Sequence, residues 1–249
     1  MKLDTIIAER DNKTVYRDGD LCYKVFGSGF SKGDILNEAL NYARAEETGL
    51  NVPKIKGVVE VDGRWAMITE YIDGVTLESL IAESPSGLDE YLDMFVDLQI
   101  EINSKSSGQL FKLRDKLHAK ISQSGLSATE RYELHTQLEA MPRHKKLCHG
   151  DYNPSNIIIS KDGTPYIIDW AHASQGNASA DAARTYLLFK INGDDSGAEK
   201  YLNMFCKKTD TAAQYVRKWL PIEAASQIAD GEKNKINLLK LWINVVDYD

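Results

Sequence analysis

The sequence predicts an α+β chain in two parts, a small antiparallel sheet with one helix up to about residue 70 and a larger, mostly helical part after it. Two observations carry this reading. Short alternating apolar and polar runs punctuated by Asp-Gly pairs, the strongest local hairpin signal, fill the first part. Apolar residues at helical spacing, separated by clusters of Ser, Gly and Pro, fill the second. At 249 residues, with 43% hydrophobic and 27% charged side chains, the chain can bury a sizeable core, which excludes a disulfide miniprotein or a disordered tail.

Taken in order, Thr14 to Arg17 and Leu21 to Phe26 flank Asp18-Gly19, and Val58 to Val61 and Trp65 to Glu70 flank Asp62-Gly63. The order is strand, strand, strand, helix, strand, strand. The helix starts at Ser31 or Asp34, sets Leu36, Ala39, Leu40 and Ala43 on one stripe, and stops at Gly49, a favoured residue just past a helix end. After Tyr71-Ile72-Asp73-Gly74 come helices over Thr76 to Glu83, Leu88 to Ile102, Leu110 to Ser122 and Thr129 to Ala140. A hairpin interrupts them, with Asn156 to Ser160 and Tyr166 to Asp169 around Asp162-Gly163. Helices over Ala180 to Lys190, Glu199 to Cys206, Thr211 to Trp219 and Lys233 to Val246 complete the chain.

Composition narrows the function classes. A net charge of −7 and a pI near 5.3 argue against a nucleic-acid binder, which needs clustered Lys and Arg on the phosphate backbone, and leave small molecules as the expected partners. Cys22, Cys148 and Cys206 are odd in number and form no CxxC pair, so neither a disulfide framework nor a zinc site is expected. The opening MKLDTIIAERDNKTV has no apolar signal-peptide core, and no run of 18 apolar residues follows, so the sequence predicts a cytoplasmic chain without a membrane partner.

The chemistry concentrates in Leu147-Cys148-His149-Gly150-Asp151-Tyr152-Asn153-Pro154-Ser155-Asn156 and in Ile167-Ile168-Asp169-Trp170. Asn156 opens one strand of the hairpin and Asp169 ends the other, so the Asp162-Gly163 turn brings them close together. An Asn carbonyl and an Asp carboxylate at one hairpin mouth form half a shell for a hard cation such as Mg²⁺, whose other ligands are phosphates and water. Asp151 is then free to orient a nucleophile.

These runs, HGDYNPSN followed by IIDW, resemble the catalytic and metal-binding segments of the aminoglycoside phosphotransferase and choline kinase family, small-molecule relatives of the protein kinases. The resemblance implies a two-lobed protein-kinase-like fold, with a nucleotide-binding lobe over residues 1–70, a hinge over 71–74 and a catalytic, substrate-binding lobe over 75–249. It implies Asp151 as catalytic base or hydroxyl-orienting group, Asn156 and Asp169 as Mg²⁺ ligands, and ATP or GTP as phosphoryl donor to a small-molecule hydroxyl. The acceptor classes it brings are aminoglycosides, amino alcohols and sugars. Members of the family need a strand lysine on the nucleotide phosphates and a helix glutamate to pair with it. Lys24, which shares a strand face with Cys22 and Phe26, matches the first. Glu38 matches the second, lying on the Ile35/Tyr42 side of the helix and at the family's interval before Asn51-Val52-Pro53-Lys54; Glu46 shares that side as the alternative. Met67 to Gly74 resembles the hinge, which implies that the backbone carbonyl of Glu70 and amide of Ile72 bind the base. The pattern departs from that of protein kinases at Glu9-Arg10-Asp11-Asn12-Lys13, where the loop between the first two strands contains no glycine.

Other features read as structural. Phe26-Gly27-Ser28-Gly29-Phe30-Ser31-Lys32-Gly33 fails the spacing of a dinucleotide or P-loop site and serves as a connection. His149 packs the loop, and Asp181 resembles the family acid that braces it. Trp170, Trp219, Trp242 and Tyr248 are expected mainly in the core rather than in an aromatic cage, and the tail acids Asp247 and Asp249 are expected in solvent. A nucleotide-binding scaffold without catalysis is the rival reading, disfavoured because Lys24, Asp151, Asn156 and Asp169 are all intact. A protein kinase is disfavoured because no Ala-Pro-Glu segment follows Asp169.

Overall fold

A computed structural model describes residues 5–10, 12–231 and 235–243, and the chain divides into two compact units, residues 1–85 with 154–172, and residues 86–153 with 173–249. The first unit holds a five-stranded antiparallel sheet, β1 (Thr5–Arg10), β2 (Lys13–Asp18), β3 (Leu21–Phe26), β4 (Ile55–Val61) and β5 (Arg64–Glu70), in the spatial order β1-β2-β3-β5-β4. Its one long helix, α1 (Lys32–Glu46), starts with a capping box in which Ser31 and Asp34 satisfy each other's backbone N–H, and it is followed by Gly49 at φ +78°. The expected element order is borne out. The first hairpin turns at Gly19-Asp20, one residue later than expected, because Asp18 still pairs with Leu21. The second turns at Asp62-Gly63, where both residues take positive φ (49° and 72°), as a two-residue turn matched to the strand twist requires.

Helix α1 buries a face turned away from the expected stripe, with Ala39 common to both. Leu36 and Leu40 are each 46% exposed, whereas Ile35, Glu38, Ala39, Tyr42 and Ala45 are buried. The same unit contains a second, three-stranded sheet with β6 (Gly74–Thr76), β8 (Ile157–Ser160) and β9 (Pro165–Ile167) in the order β6-β8-β9, and the short helix α2 (Leu77–Glu83). Strand β6 was not expected from the sequence; three residues carry no period to detect. It needs glycine at its start, because a Cβ at position 74 would stand 2.2 Å from the carbonyl oxygen of Ile159.

The second unit is mostly helical: α3 (Leu88–Ser104), α4 (Leu113–Gln123), α5 (Ala128–Ala140), α6 (Ala178–Ile191), α7 (Asp195–Thr209), α8 (Ala213–Arg217), α9 (Leu220–Ala229) and α10 (Ile236–Ile243), with the paired short strands β7 (Lys146–Cys148) and β10 (Ser174–Gly176). Its core is aromatic. Phe95 stacks on Tyr152 at 4.4 Å between ring centroids, and Tyr201 meets Phe95 at 5.7 Å and Phe189 at 5.6 Å. The expected helix over Thr211 to Trp219 is only five residues long, and α9 follows it unannounced. Helix α9 is buried over Leu220–Ile228, polar residues included. None of the helices among the described residues is long and apolar enough to cross a membrane.

A charge network, with Glu223 buried and Asp230 at the surface, ties α4, α6 and the end of α9 together. Arg184 lies 3.9 Å from Glu223 and 3.3 Å from Asp230, and Lys120 also bonds Asp230. Burial pulls the Lys116 amine down to about 8, helped by the Arg184 charge. Burial also pushes the Glu223 carboxyl up to about 7 against the pull of Arg184.

Two outcomes follow for stability. Gly74→Ala forces the β6–β8 pair apart and lowers unfolding free energy by about 1–3 kcal/mol in urea titrations. Glu223 holds its proton in the folded state to a higher pH than in the unfolded chain, so the folded state binds more protons between about pH 4.5 and 7 and stability falls as pH rises through that window. Glu223→Gln removes that slope. Compared with the variant, the wild type loses on the order of 2 kcal/mol between pH 5 and pH 7.5, read from paired denaturation curves.

Candidate active site

Strand pairing sets the chemistry of the first unit. Val15 on β2, Lys24 on β3 and Met67 on β5 stand in register, and strand alternation puts Cys22, Lys24 and Phe26 on one face. From that face Lys24 Nζ donates to Glu38 Oε1 at 2.6 Å and to Asp169 Oδ1 at 3.0 Å. Glu46, the alternative partner, accepts from the backbone N–H of Ile55 at 3.2 Å. Asp169 lies two residues beyond β9 with φ +62°, a conformation unusual for a non-glycine residue, and its N–H donates to the Tyr42 hydroxyl at 2.7 Å. Burial alone lowers the pKa of Lys24, but the Asp169 and Glu38 carboxylates hold it well above the ordinary lysine range. Burial alone raises that of Asp169, and the ammonium groups of Lys24 and Lys13 hold it well below the ordinary carboxyl range. Burial drives the Tyr42 hydroxyl far upward, so it stays a neutral acceptor for the Asp169 N–H.

These groups open onto a cavity of about 370 Å³ whose lining includes Lys13, Lys24, Glu70, Ile72, Asn156 and Asp169. Met67, Pro53 and Ile158 supply apolar walls, suited to a planar ring. The sequence argument thus brings Lys24, Asn156, Asp169, Glu70 and Ile72 to one cavity, with Glu38 behind Lys24. It missed Tyr42 and Lys13, each of which is an ordinary residue until its strand or helix face is known. Asn156 is buried in a single 3₁₀ turn, Pro154–Asn156, just before β8. Asn156 and Asp169 offer hard oxygen donors on one cavity wall, the kind Mg²⁺ takes. Among the described residues no group of three His, Cys, Asp or Glu side chains is placed to hold a metal ion.

Asp151 belongs to the second unit, on the loop after β7. Asp181, in the first turn of α6 and buried, accepts from Gly150 N–H through Oδ1 at 2.8 Å, and from His149 N–H at 3.2 Å and Asn103 Nδ2 at 3.4 Å through Oδ2. His149 is fully buried, meets the Tyr152 ring edge-on at 5.8 Å, and its Nδ1 accepts from Asp151 N–H at 3.2 Å. The backbone that presents Asp151 is therefore held on both sides. Trp170 and Trp219 are buried in the cores of their own units, and Trp242 packs edge-on against Tyr186; Asp247, Tyr248 and Asp249 lie outside the described residues.

Residues 5–217 match the model of the phosphotransferase enzyme family. The chain belongs to that family. None of the functionally curated proteins matches it. Among solved structures, the apo form of a thermostable mutant of aminoglycoside phosphotransferase APH(4)-Ia superposes with a TM-score of 0.72 at 16% identity, covering 98% of this chain and 93% of that one. Choline kinase LicA from Streptococcus pneumoniae gives 0.67 at 16% identity over 99% and 94%. A choline/ethanolamine kinase family protein from Mesorhizobium loti gives 0.65 at 17% over 98% and 89%. The resemblance read from HGDYNPSN and IIDW, and the α+β, protein-kinase-like fold class, are borne out.

In this phosphotransferase the Asp181 brace uses both carboxylate oxygens on separate donors, so even an isosteric change is costly. Asp181→Asn supplies one acceptor and turns an NH₂ group toward a buried backbone N–H. The expected loss is roughly 2 kcal/mol of unfolding free energy, read from urea denaturation at pH 7.

Proposed function

We propose that the chain is a small-molecule kinase that moves the γ-phosphoryl group of ATP or GTP to a hydroxyl of an aminoglycoside-like, amino-alcohol or sugar acceptor. The observation that carries this is the Lys24–Glu38–Asp169 ion triad at the wall of a cavity with apolar sides and an Asn156 carbonyl beside it. Lys24, positioned by Glu38, faces the phosphates. The carbonyl of Glu70 and the N–H of Ile72, two residues that line the cavity, offer an acceptor and a donor for the base. Asn156 and Asp169 would hold Mg²⁺, whose chemistry is to neutralise phosphate charge. Asp151 aligns the acceptor hydroxyl and takes its proton as the bond to phosphorus forms.

The division of labour fits the reaction. Phosphoryl transfer passes through a loose transition state that asks little covalent chemistry of the protein, so fixed charges and a positioned hydroxyl supply most of the acceleration. The solved relatives support the substrate class: one APH(4)-Ia mutant structure is a ternary complex with AMP-PNP and hygromycin B, and another with ADP and hygromycin B, while LicA is a choline kinase.

The test is nucleoside diphosphate release from ATP and GTP, with Mg²⁺, against a panel of aminoglycosides, choline, ethanolamine, amino sugars and common sugars. One acceptor class is expected to stimulate turnover. Asp151→Ala is expected to lose about 10²- to 10⁴-fold in kcat while nucleotide still raises its melting temperature. Full activity in that variant would remove the assigned role, and nucleotide stabilisation without turnover on any acceptor would favour a binding scaffold.

A further inference from the structure

A kinase site has to offset the charge of a triphosphate, and here Lys24 is already committed to two carboxylates at 2.6 and 3.0 Å. The turn between β1 and β2 contains no glycine, so the close backbone approach that a glycine-rich loop gives is missing from its usual place. Lys13, the first residue of β2, pairs with Phe26 while Val15 pairs with Lys24, so Lys13 lies diagonally across from Lys24 on the same sheet face. Its side chain lines the same cavity as Lys24 and Asp169 and is 24% exposed.

We propose that Lys13 is a second phosphate-binding cation of the nucleotide site, standing in for the amides of a glycine-rich loop; this rests on the nucleotide reading above. Its neighbours are suited to the task. The Lys13 ammonium is 3.9 Å from Glu38 Oε2, at the limit of an ion pair, and otherwise faces the rings of Phe26 at 5.6 Å and Phe30 at 5.1 Å. Aromatic faces hold a cation in place without claiming its N–H groups as a carboxylate does. In this cavity the ammonium groups of Lys13 and Lys24 balance the carboxylates of Glu38 and Asp169. If Asp169 held a metal ion instead, one ammonium charge would be left over for phosphate oxygens. An anion between Lys13 and Lys24 also relieves the repulsion between them.

The experiment is titration calorimetry with AMP-PNP, ADP and adenosine in the presence of Mg²⁺, and with the guanosine series in parallel, on the wild type, Lys13→Met, Lys13→Arg and Lys24→Met. Lys13→Met is expected to weaken the imidotriphosphate about tenfold or more, the diphosphate less, and the nucleoside within twofold, with Lys13→Arg restoring most of the loss. Unchanged nucleoside affinity reports that the variant is folded. If the loss on the imidotriphosphate is less than fivefold larger than that on the nucleoside, the proposal is overturned. A selective loss in Lys24→Met alone would then leave the nucleotide reading standing. A wild type that binds neither series would overturn both.

Discussion

The first unit is organised around one ammonium group. Lys24 leaves β3 with its side chain 14% exposed, and a charge so placed requires partners. Meeting that requirement explains several features at once. Glu38 must face inward, so α1 presents the Ile35, Glu38, Tyr42 and Ala45 side to the rest of its unit and leaves Leu36 and Leu40 at the surface. Asp169 must reach Lys24 from the end of a hairpin, which it does with a left-handed backbone whose N–H is received by Tyr42. The buried face of the helix thus carries one charged residue, Glu38.

That arrangement is not an economical way to stabilise a protein. Taking charges out of water costs several kcal/mol each, and their mutual attraction often does no better than apolar groups of the same shape. A strained aspartate adds about 1–3 kcal/mol more. Costs of this kind persist where the charges serve another end. Here they hold a cation and a carboxylate at fixed separation on a cavity wall, as a site that acts by prepositioned charge requires. The second unit repeats the logic with backbone groups, since Asp181 spends a buried carboxylate on holding the Gly150 and His149 N–H groups beside Asp151.

Much of this was legible in the sequence because the informative signals are local. Asp62-Gly63 prescribes a two-residue turn whatever surrounds it, Ser31 and Asp34 announce a helix start, and the interval from Asp151 to Asn156 and Asp169 is a matter of loop and hairpin length. What stayed hidden depends on partners distant in the chain. Strand β6 exists because it pairs with β8, some 80 residues on, and helix α9 because neighbours cover it all round. Lys13 and Tyr42 belong to the cavity through strand register and helix face, neither of which is written in any short window. Leu36 and Leu40 misled for the converse reason: their spacing is genuine, yet both side chains lie at the surface.

Family likeness and physical reading divide the remaining question between them. At 15–17% identity to the solved aminoglycoside and choline kinases, the likeness carries the fold and not the acceptor. The donor side is different, because triphosphate and metal impose the same demands on any protein: cations for phosphate, hard oxygens for Mg²⁺, and a backbone edge beside an apolar slot for a base. Those demands can be set against the chain residue by residue, and Lys24, Glu70, Ile72, Asn156 and Asp169 line one cavity within one unit. An acceptor imposes no such common demand beyond a hydroxyl. Its identity therefore has to come from turnover.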